Sequence, residues 1–194
     1  MNPGTERETV SQFTLDCPQP RRQRAQEEGF ATHTMITMTA DFYPLVLTSY
    51  VGSTHSESDH RAQFEQMGVL ARRAMKEGTH HVAVALGGAS MTAAERKFVG
   101  QLVDEFPPEY LARTAASYVV VSNPVVRGII TALRWVQPKL SHIEAVSSID
   151  EAMTAAVASA RKHRLPLEAT AISGARRWLE NEAKRQAQAL AAGQ

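Results

Sequence analysis

Hydrophobic and polar positions along the chain follow two periods, one typical of strands and one typical of helices. In the stretch 116–135, an apolar and largely β-branched run is followed by Asn123 and Pro124, which suit the cap and the first position of a helix. Apolar residues then recur at helical spacing, at Val126, Ile129, Ile130 and Leu133. The pattern predicts a buried strand and a helix that packs one apolar face back on the sheet.

The same alternation of strand and helix patterns extends to both sides of this stretch. Further strands are predicted over residues 34–39, 45–51, 81–86 and 142–146. Further helices are predicted over residues 57–77, after Thr92, after Ser148 and over residues 175–191. This order predicts an α/β fold with a four- to five-stranded, mostly parallel mixed sheet, helices on its faces and an extra C-terminal helix.

Three of the predicted helices begin with a capping box, in which a hydroxyl and a carboxylate three residues later bind each other's backbone N–H groups. The pairs are Ser56 with Asp59, Thr92 with Glu95, and Ser148 with Glu151. They set the predicted starts of these helices.

The chain divides into three segments by composition. Residues 1–33 are polar, contain several prolines and a basic cluster at Arg21, Arg22 and Arg24, and are predicted to be disordered. Residues 34–163 form the α/β domain, and residues 164–194 form a helical extension. The basic cluster is interpreted as a solvated charge run, with an acidic partner as the alternative. Candidate starts of translation are Met1, Met35 and Met38.

Composition narrows the class of protein. The 194 residues, of which 43% are hydrophobic and 21% charged, suffice for one sizeable core. Because 21 Lys and Arg residues are matched by 20 Asp and Glu residues, the net charge of +1 gives no electrostatic reason to expect a nucleic acid or an anionic membrane as partner. No apolar run reaches the ~20 residues of a membrane span or forms a secretory signal, so we expect a cytoplasmic protein. Cys17 is the single cysteine, which excludes an internal disulfide and a multi-cysteine metal site.

Ligands of open α/β sheets bind beyond the carboxyl ends of the strands, so the loops after the predicted strands form the candidate site. These loops cover residues 52–56, 87–92, 122–127 and 147–150. The second loop offers two glycines, two hydroxyls and a helix N-terminus, at Gly87, Gly88, Ser90 and Thr92, which would suit a phosphate. It matches neither the dinucleotide-binding motif nor the P-loop, and we favour the simpler interpretation of a tight strand-to-helix turn.

Basic and catalytic residues give weaker signals. Arg127, Thr131 and Arg134 share a helix face that could recognise a carboxylate or a phosphate, although a solvated helix face is the simpler interpretation. The seven histidines show no H-E-x-x-H motif and no cysteine or carboxylate partners at ligand spacing, and no serine lies in a nucleophile elbow. We therefore expect no metal, no cofactor and no enzyme activity.

The helix entry Val121-Ser122-Asn123-Pro124-Val125-Val126-Arg127, the later segment Ser148-Ile149-Asp150-Glu151-Ala152 and the order of elements resemble bacterial STAS-like domains of the anti-sigma-factor antagonist type (SpoIIAA-like). The resemblance covers residues 35–163. It implies a non-catalytic switch that binds partner proteins through the loop after the second core strand and the helix that follows. Many such domains carry a phosphorylated serine there, in an Asp-Ser-Ser or Asp-Ser-Thr sequence. This chain has Gly87-Gly88-Ala89-Ser90 instead, so Ser90 is the candidate phosphorylation site. Some relatives bind lipids or small molecules.

The sequence therefore predicts a cytoplasmic regulatory module, in signalling or as a scaffold, that acts by protein–protein interaction. Its expected surface comprises the loop from Gly87 to Thr92 together with Arg96 and Arg127. The alternative is a small-ligand or phosphate-binding domain that uses the Gly87-Gly88 turn, and a third is an enzyme whose residues meet only in space. The terminal helix is expected to support a homodimer through Ile172, Ala175, Trp178 and Leu179.

Overall fold

The computed structural model describes residues 35–52, 54–87, 91–136, 139 and 141–192. Five strands form one mixed sheet in the order β1-β2-β3-β4-β5: β1 Met35–Phe42, β2 Leu45–Val51, β3 His81–Leu86, β4 Thr114–Val120 and β5 Ile143–Val146. The first two strands form an antiparallel edge hairpin, and every later strand is parallel to its neighbour. The predicted α/β class, mixed sheet and parallel central strands are therefore confirmed.

The helices connect and follow these strands: α1 Glu57–Lys76, α2 Ala93–Glu105, α3 Pro108–Leu111, α4 Pro124–Val136, α5 Ile149–Lys162 and α6 Ala169–Ala192. The short helix α3 was not predicted. Its first residue is Pro108, which lacks the N–H that an interior helical position would need but is tolerated in a first turn. Among the described residues, no helix has the length and apolar character that crossing a bilayer requires.

Two of the three predicted capping boxes are complete, at the starts of α1 and α2. At α5 the Ser148 hydroxyl accepts from the Glu151 backbone N–H as predicted, at 3.1 Å. The Glu151 carboxylate, however, accepts from the backbone N–H and the hydroxyl of Ser147, both at 2.7 Å, one residue earlier than predicted. The predicted third capping box is therefore confirmed for the hydroxyl of Ser148 and wrong for the carboxylate of Glu151, which binds Ser147 instead of Ser148.

The helices α1 and α6 lie on opposite faces of the sheet. Successive residues of a strand point to opposite faces. On β2 the Ser49 hydroxyl accepts from Gln186 of α6 at 3.4 Å, whereas the Tyr50 hydroxyl accepts from Gln63 of α1 at 2.6 Å. The helix α5 packs beside α6, and the core on this side joins both helices to the sheet through Leu45, Leu47, Val82, Val84, Met153 and Leu179.

The helix α6 belongs to the core of its own chain. It begins at Ala169, six residues earlier than predicted, and covers β1 and β2. Ala175 and Leu179 are fully buried, and Ile172 and Trp178 are partly buried against the same core. All four residues were expected to form a homodimer contact. For Ala175 and Leu179 that assignment is corrected, because both side chains are fully buried within their own chain. A homodimer through other residues of this helix stays a prediction.

The helix α4 and the strand before it are less buried than predicted. Val125 is 69% exposed and Ile129 is 55% exposed, although Ile129 was expected to face the sheet. Among the described elements, β5 at the sheet edge is the one that α4 contacts closely. One side of the helix is therefore left without a close neighbour among these elements. In β4, Tyr118 is buried and the remaining residues are half-buried. The predictions of disorder over residues 1–33 and of a basic cluster lie outside the described residues.

Candidate functional site

The segments that follow β2 and β3 meet at the carboxyl edge of the sheet. These strands are parallel neighbours, and Ser49 near the end of β2 pairs with Leu86 at the end of β3. Two of the four predicted loops, those that begin at Gly52 and Gly87, therefore start from neighbouring strand ends. A hydrogen bond from the backbone N–H of His55 to the carboxylate of Glu95, at 2.5 Å, joins the first of these loops to the start of α2.

The start of α1 holds two histidine rings together. Ser56 is the N-cap, which makes His55 the residue before the cap and His60 the fourth residue of the helix. Side chains at these two positions commonly pack on each other as a hydrophobic staple. Here the two imidazole rings are 5.8 Å apart between centroids and meet edge to face. Both side chains are buried, His55 at 9% and His60 at 1% exposure.

The start of α2 supplies a buried carboxylate to the same place. Glu95 completes the capping box of α2, since its Oε2 accepts from the Thr92 backbone N–H at 2.6 Å. Its Oε1 accepts from the His55 backbone N–H, so one side chain fastens α2 to the loop before α1. The residue is 8% exposed.

The three side chains direct ring nitrogens and a carboxylate oxygen at one point. Glu95 Oε1 lies 3.8 Å from His55 Nδ1 and 3.9 Å from His60 Nε2. One nitrogen or oxygen atom from each residue lies within 4.8 Å of the other two. We call this group the rim triad. His60 Nε2 is buried and has no hydrogen-bond partner.

The electrostatics of the rim triad favour a charged carboxylate beside a neutral imidazole. Burial alone would raise the pKa of Glu95, but hydrogen bonds from the backbone N–H groups of Thr92 and His55 outweigh it and lower that pKa. Burial, followed by the electrostatic contribution of the neighbouring His55, lowers the pKa of His60. Such a site offers an anionic oxygen and an unprotonated ring nitrogen to a ligand.

A tyrosine extends this polar cluster towards the sheet. The Tyr50 ring meets the His55 ring edge to face at 5.7 Å, and its hydroxyl accepts from Gln63 Nε2. Burial raises the pKa of Tyr50. The phenol therefore stays neutral, and its ring packs against one side of the cluster.

The predicted anion site at the glycine turn is only partly within the described residues. A Cβ on Gly87 would lie 3.0 Å from the Val120 carbonyl oxygen and 3.1 Å from the Val121 side chain, so the close packing of β3 on β4 accounts for this glycine. Thr92 is the N-cap of α2, and its hydroxyl accepts from the Glu95 backbone N–H. Gly88 and Ser90, the latter with its expected phosphorylation, lie outside the described residues.

The two predicted arginines bind backbone oxygens of their own chain. Arg127 Nη1 donates to the carbonyl groups of Val121 and Ser122, at 2.9 and 2.8 Å, which fastens the start of α4 to the end of β4. Arg96 Nη1 donates to the Met91 carbonyl at 2.6 Å. Thr131 donates to the Arg127 carbonyl, and the side chain of Arg134 lies outside the described residues. These contacts do not bring the arginines into the rim triad.

Sequence reasoning pointed to the edge of the sheet at which the rim triad lies, but it did not single out the residues of the triad. The histidines were excluded because no cysteine or carboxylate lies at ligand spacing from them in the sequence, whereas Glu95 is 40 residues from His55 and reaches it through strand pairing. One local signal was present. The capping box at Ser56 implies the staple positions, and those positions hold His55 and His60.

No protein-family model matches the sequence, and no curated protein matches it either. Among solved structures, the chain is similar to a protein of the DUF3478 family with a SpoIIAA-like fold, from Shewanella loihica PV-4, solved at 2.25 Å resolution. The two share 15% sequence identity over 68% of this chain and 99% of that chain, with a TM-score of 0.43. The description of that protein names the same type of fold as the resemblance stated from the sequence.

Proposed function

We propose that this chain is a non-catalytic regulatory module that acts by binding another protein through the exposed apolar side of α4. The observation that carries the proposal is the exposure of Val125 and Ile129, at 69% and 55%. These residues are one helical turn apart and therefore lie side by side on the helix surface. Exposed neighbouring apolar residues on a soluble domain are typical of interaction sites. We call this pair, with the glycine between them, the α4 strip.

Charge near the strip indicates the kind of partner. Arg127 lies in the same helix turn, and Arg96 lies in the first turn of α2, the helix that follows the neighbouring strand. Each uses one guanidinium nitrogen for backbone carbonyls, and an arginine has five N–H donors, so donors remain for a partner. The partner is expected to present an apolar segment flanked by carboxylates. The proposed surface thus keeps Arg96 and Arg127 from the surface expected from the sequence and adds Val125 and Ile129.

The cytoplasmic location of the protein stays a prediction.

The test is photocrosslinking of the full chain in cells of its own organism. A photoreactive phenylalanine analogue replaces Ile129 in one protein and the exposed Thr154 of α5 in the matched control. We expect a discrete adduct with another protein from position 129 and none from position 154. Adding Val125→Asp should reduce the adduct by at least about 10-fold, because a charge within an apolar contact costs more than ~1.4 kcal/mol.

Three results would contradict the proposal. They are equal adducts from positions 129 and 154, an adduct that Val125→Asp leaves unchanged, and an adduct with a second copy of this chain. The last result would assign the strip to self-association. Circular dichroism of each variant shows whether the fold is kept, since both substituted side chains are exposed and contribute little to the core.

A further inference from the structure

We propose that the rim triad of His55, His60 and Glu95 binds one divalent transition-metal ion of the zinc class. The site is independent of the α4 strip. The proposal rests on three features of the described residues: the direction of the lone pairs, the spacing of the donor atoms, and a buried donor that lacks a partner.

The tautomer of His55 is set by its backbone contact. His55 Nε2 lies 3.1 Å from the carbonyl oxygen of Val51, and a carbonyl can only accept, so Nε2 carries the proton. In the neutral ring the lone pair is then on Nδ1, which lies 3.8 Å from the anionic Glu95 Oε1. A carbonyl that accepts from the distal nitrogen is the usual outer-shell partner of a metal-binding histidine.

His60 adds a second ring nitrogen that has no hydrogen-bond partner. Its Nε2 lies 3.9 Å from the same Glu95 oxygen, is buried, and makes no hydrogen bond. A buried polar atom without a partner costs roughly 1–3 kcal/mol, and coordination by a cation would remove that cost. Because His60 is 1% exposed, bulk water does not satisfy this nitrogen.

The spacing is close to that of a coordinated ion. Bonds of about 2.1 Å in a tetrahedral site place ligand atoms roughly 3.4 Å apart. The two separations from Glu95 Oε1, at 3.8 and 3.9 Å, exceed this by about half an ångström. All three donor atoms lie within 4.8 Å of one another, so rotations of the two rings would bring them to the spacing of a coordinated ion. Glu95 can keep both backbone hydrogen bonds meanwhile, because a carboxylate offers about four lone-pair positions.

The donor set selects the class of ion. Imidazole nitrogens suit zinc and its first-row neighbours, whereas magnesium and calcium prefer sites made of oxygen ligands. Two imidazoles and one carboxylate leave a fourth position for water. Since all three side chains are at most 9% exposed, the ion would hold the loop before α1 against the start of α2. We assign it a role in coupling these two elements.

The test measures zinc binding to the untagged full chain, with Cys17→Ser to remove the single thiol. Competition with a chromophoric chelator is expected to give one zinc per chain with a dissociation constant below ~1 μM, unaffected by excess magnesium. His60→Gln and Glu95→Gln should each weaken binding by at least about 100-fold, because changes in outer-shell partners alone cost about 10–100-fold. The control His163→Gln, at an exposed histidine, should bind as the parent does.

A second readout uses the parent chain and needs no ligand variant. In a long-range proton–nitrogen spectrum, zinc should shift Nδ1 of His55 and Nε2 of His60 and leave His163 unchanged. Glu95→Gln retains an amide oxygen for one of the two backbone N–H groups and places an NH2 group towards the other, so circular dichroism is needed to show that α2 is kept. The proposal is overturned if zinc does not bind near stoichiometric concentration, if His60→Gln and Glu95→Gln bind as tightly as His163→Gln, or if the spectrum shows an imidazolium–carboxylate pair that zinc does not alter.

Discussion

At the scale of the residue, His81 makes stability depend on pH. It begins β3, is 4% exposed, and its Nε2 lies 3.0 Å from the Thr114 hydroxyl of β4. Burial, with smaller contributions from His80 and His142, lowers its pKa from 6.5 to about 4. Between these values the unfolded chain binds a proton that the folded chain does not, so stability falls as pH decreases through this range. Between about pH 7.5 and pH 5 the loss is about 2 kcal/mol.

The variant His81→Gln removes this titration and keeps a polar group for Thr114. Urea unfolding followed by circular dichroism should show that the parent loses about 2 kcal/mol more than the variant over the same pH interval. His163→Gln is the control and should follow the parent. Equal losses in the parent and in His81→Gln would show that His81 titrates normally in the folded chain.

At the scale of the element, Gly174 sets how closely α6 crosses the end of β1. A Cβ at this position would lie 2.6 Å from Cε1 of Phe42. Overpacking costs roughly 1–3 kcal/mol, whereas alanine is favoured over glycine in a helix by about 1 kcal/mol. Gly174→Ala is therefore expected to destabilise the chain by about 1 kcal/mol in urea unfolding, and adding Phe42→Leu should recover most of that loss. The close approach of α6 to Phe42 accounts for the presence of a glycine inside this helix.

Gly100 in α2 is the matched control for this prediction. It is exposed, and a Cβ there would meet no atom within 4 Å. Gly100→Ala should therefore raise stability by up to about 1 kcal/mol through helix propensity alone. If Gly174→Ala stabilised the chain to the same degree, the close approach to Phe42 would not contribute to the free energy of unfolding.

At the scale of the whole molecule, the burial of α6 predicts that the fold requires this helix. Its removal would expose Leu45 and Leu47 of β2 and delete Leu179, all fully buried. Each such side chain is worth roughly 1.5–3 kcal/mol, and domain stabilities are only about 5–15 kcal/mol. A chain that ends at Glu168 is expected to lose cooperative thermal unfolding and to aggregate in light scattering. A chain that ends at Gln186 keeps the buried part of α6 and should unfold as the parent does. If the chain that ends at Glu168 had the same midpoint of thermal unfolding as the parent, α6 would not contribute to the stability of the fold.

Local signals in the sequence predicted most of the elements. Apolar period and capping residues act over one or two helical turns, so the strands, the starts of α1 and α2 and the parallel order could be inferred without a structure. The same reasoning overestimated the burial of Ile129 and β4. Apolar period shows which side of a helix is hydrophobic, but it does not show whether a neighbour covers that side.

The candidate site depended on contacts between residues far apart in sequence. The rim triad needs β2 to lie beside β3 in one register, so that His55 reaches a carboxylate 40 residues later. The packing of α6 on its own sheet likewise depends on how closely Gly174 approaches Phe42. The sequence by itself determined the class of fold and the edge of the sheet where the loops gather, because these follow from short-range patterns. Only the tertiary structure decided which side chains share that edge, since strand register and helix approach arise from the packing of the entire core.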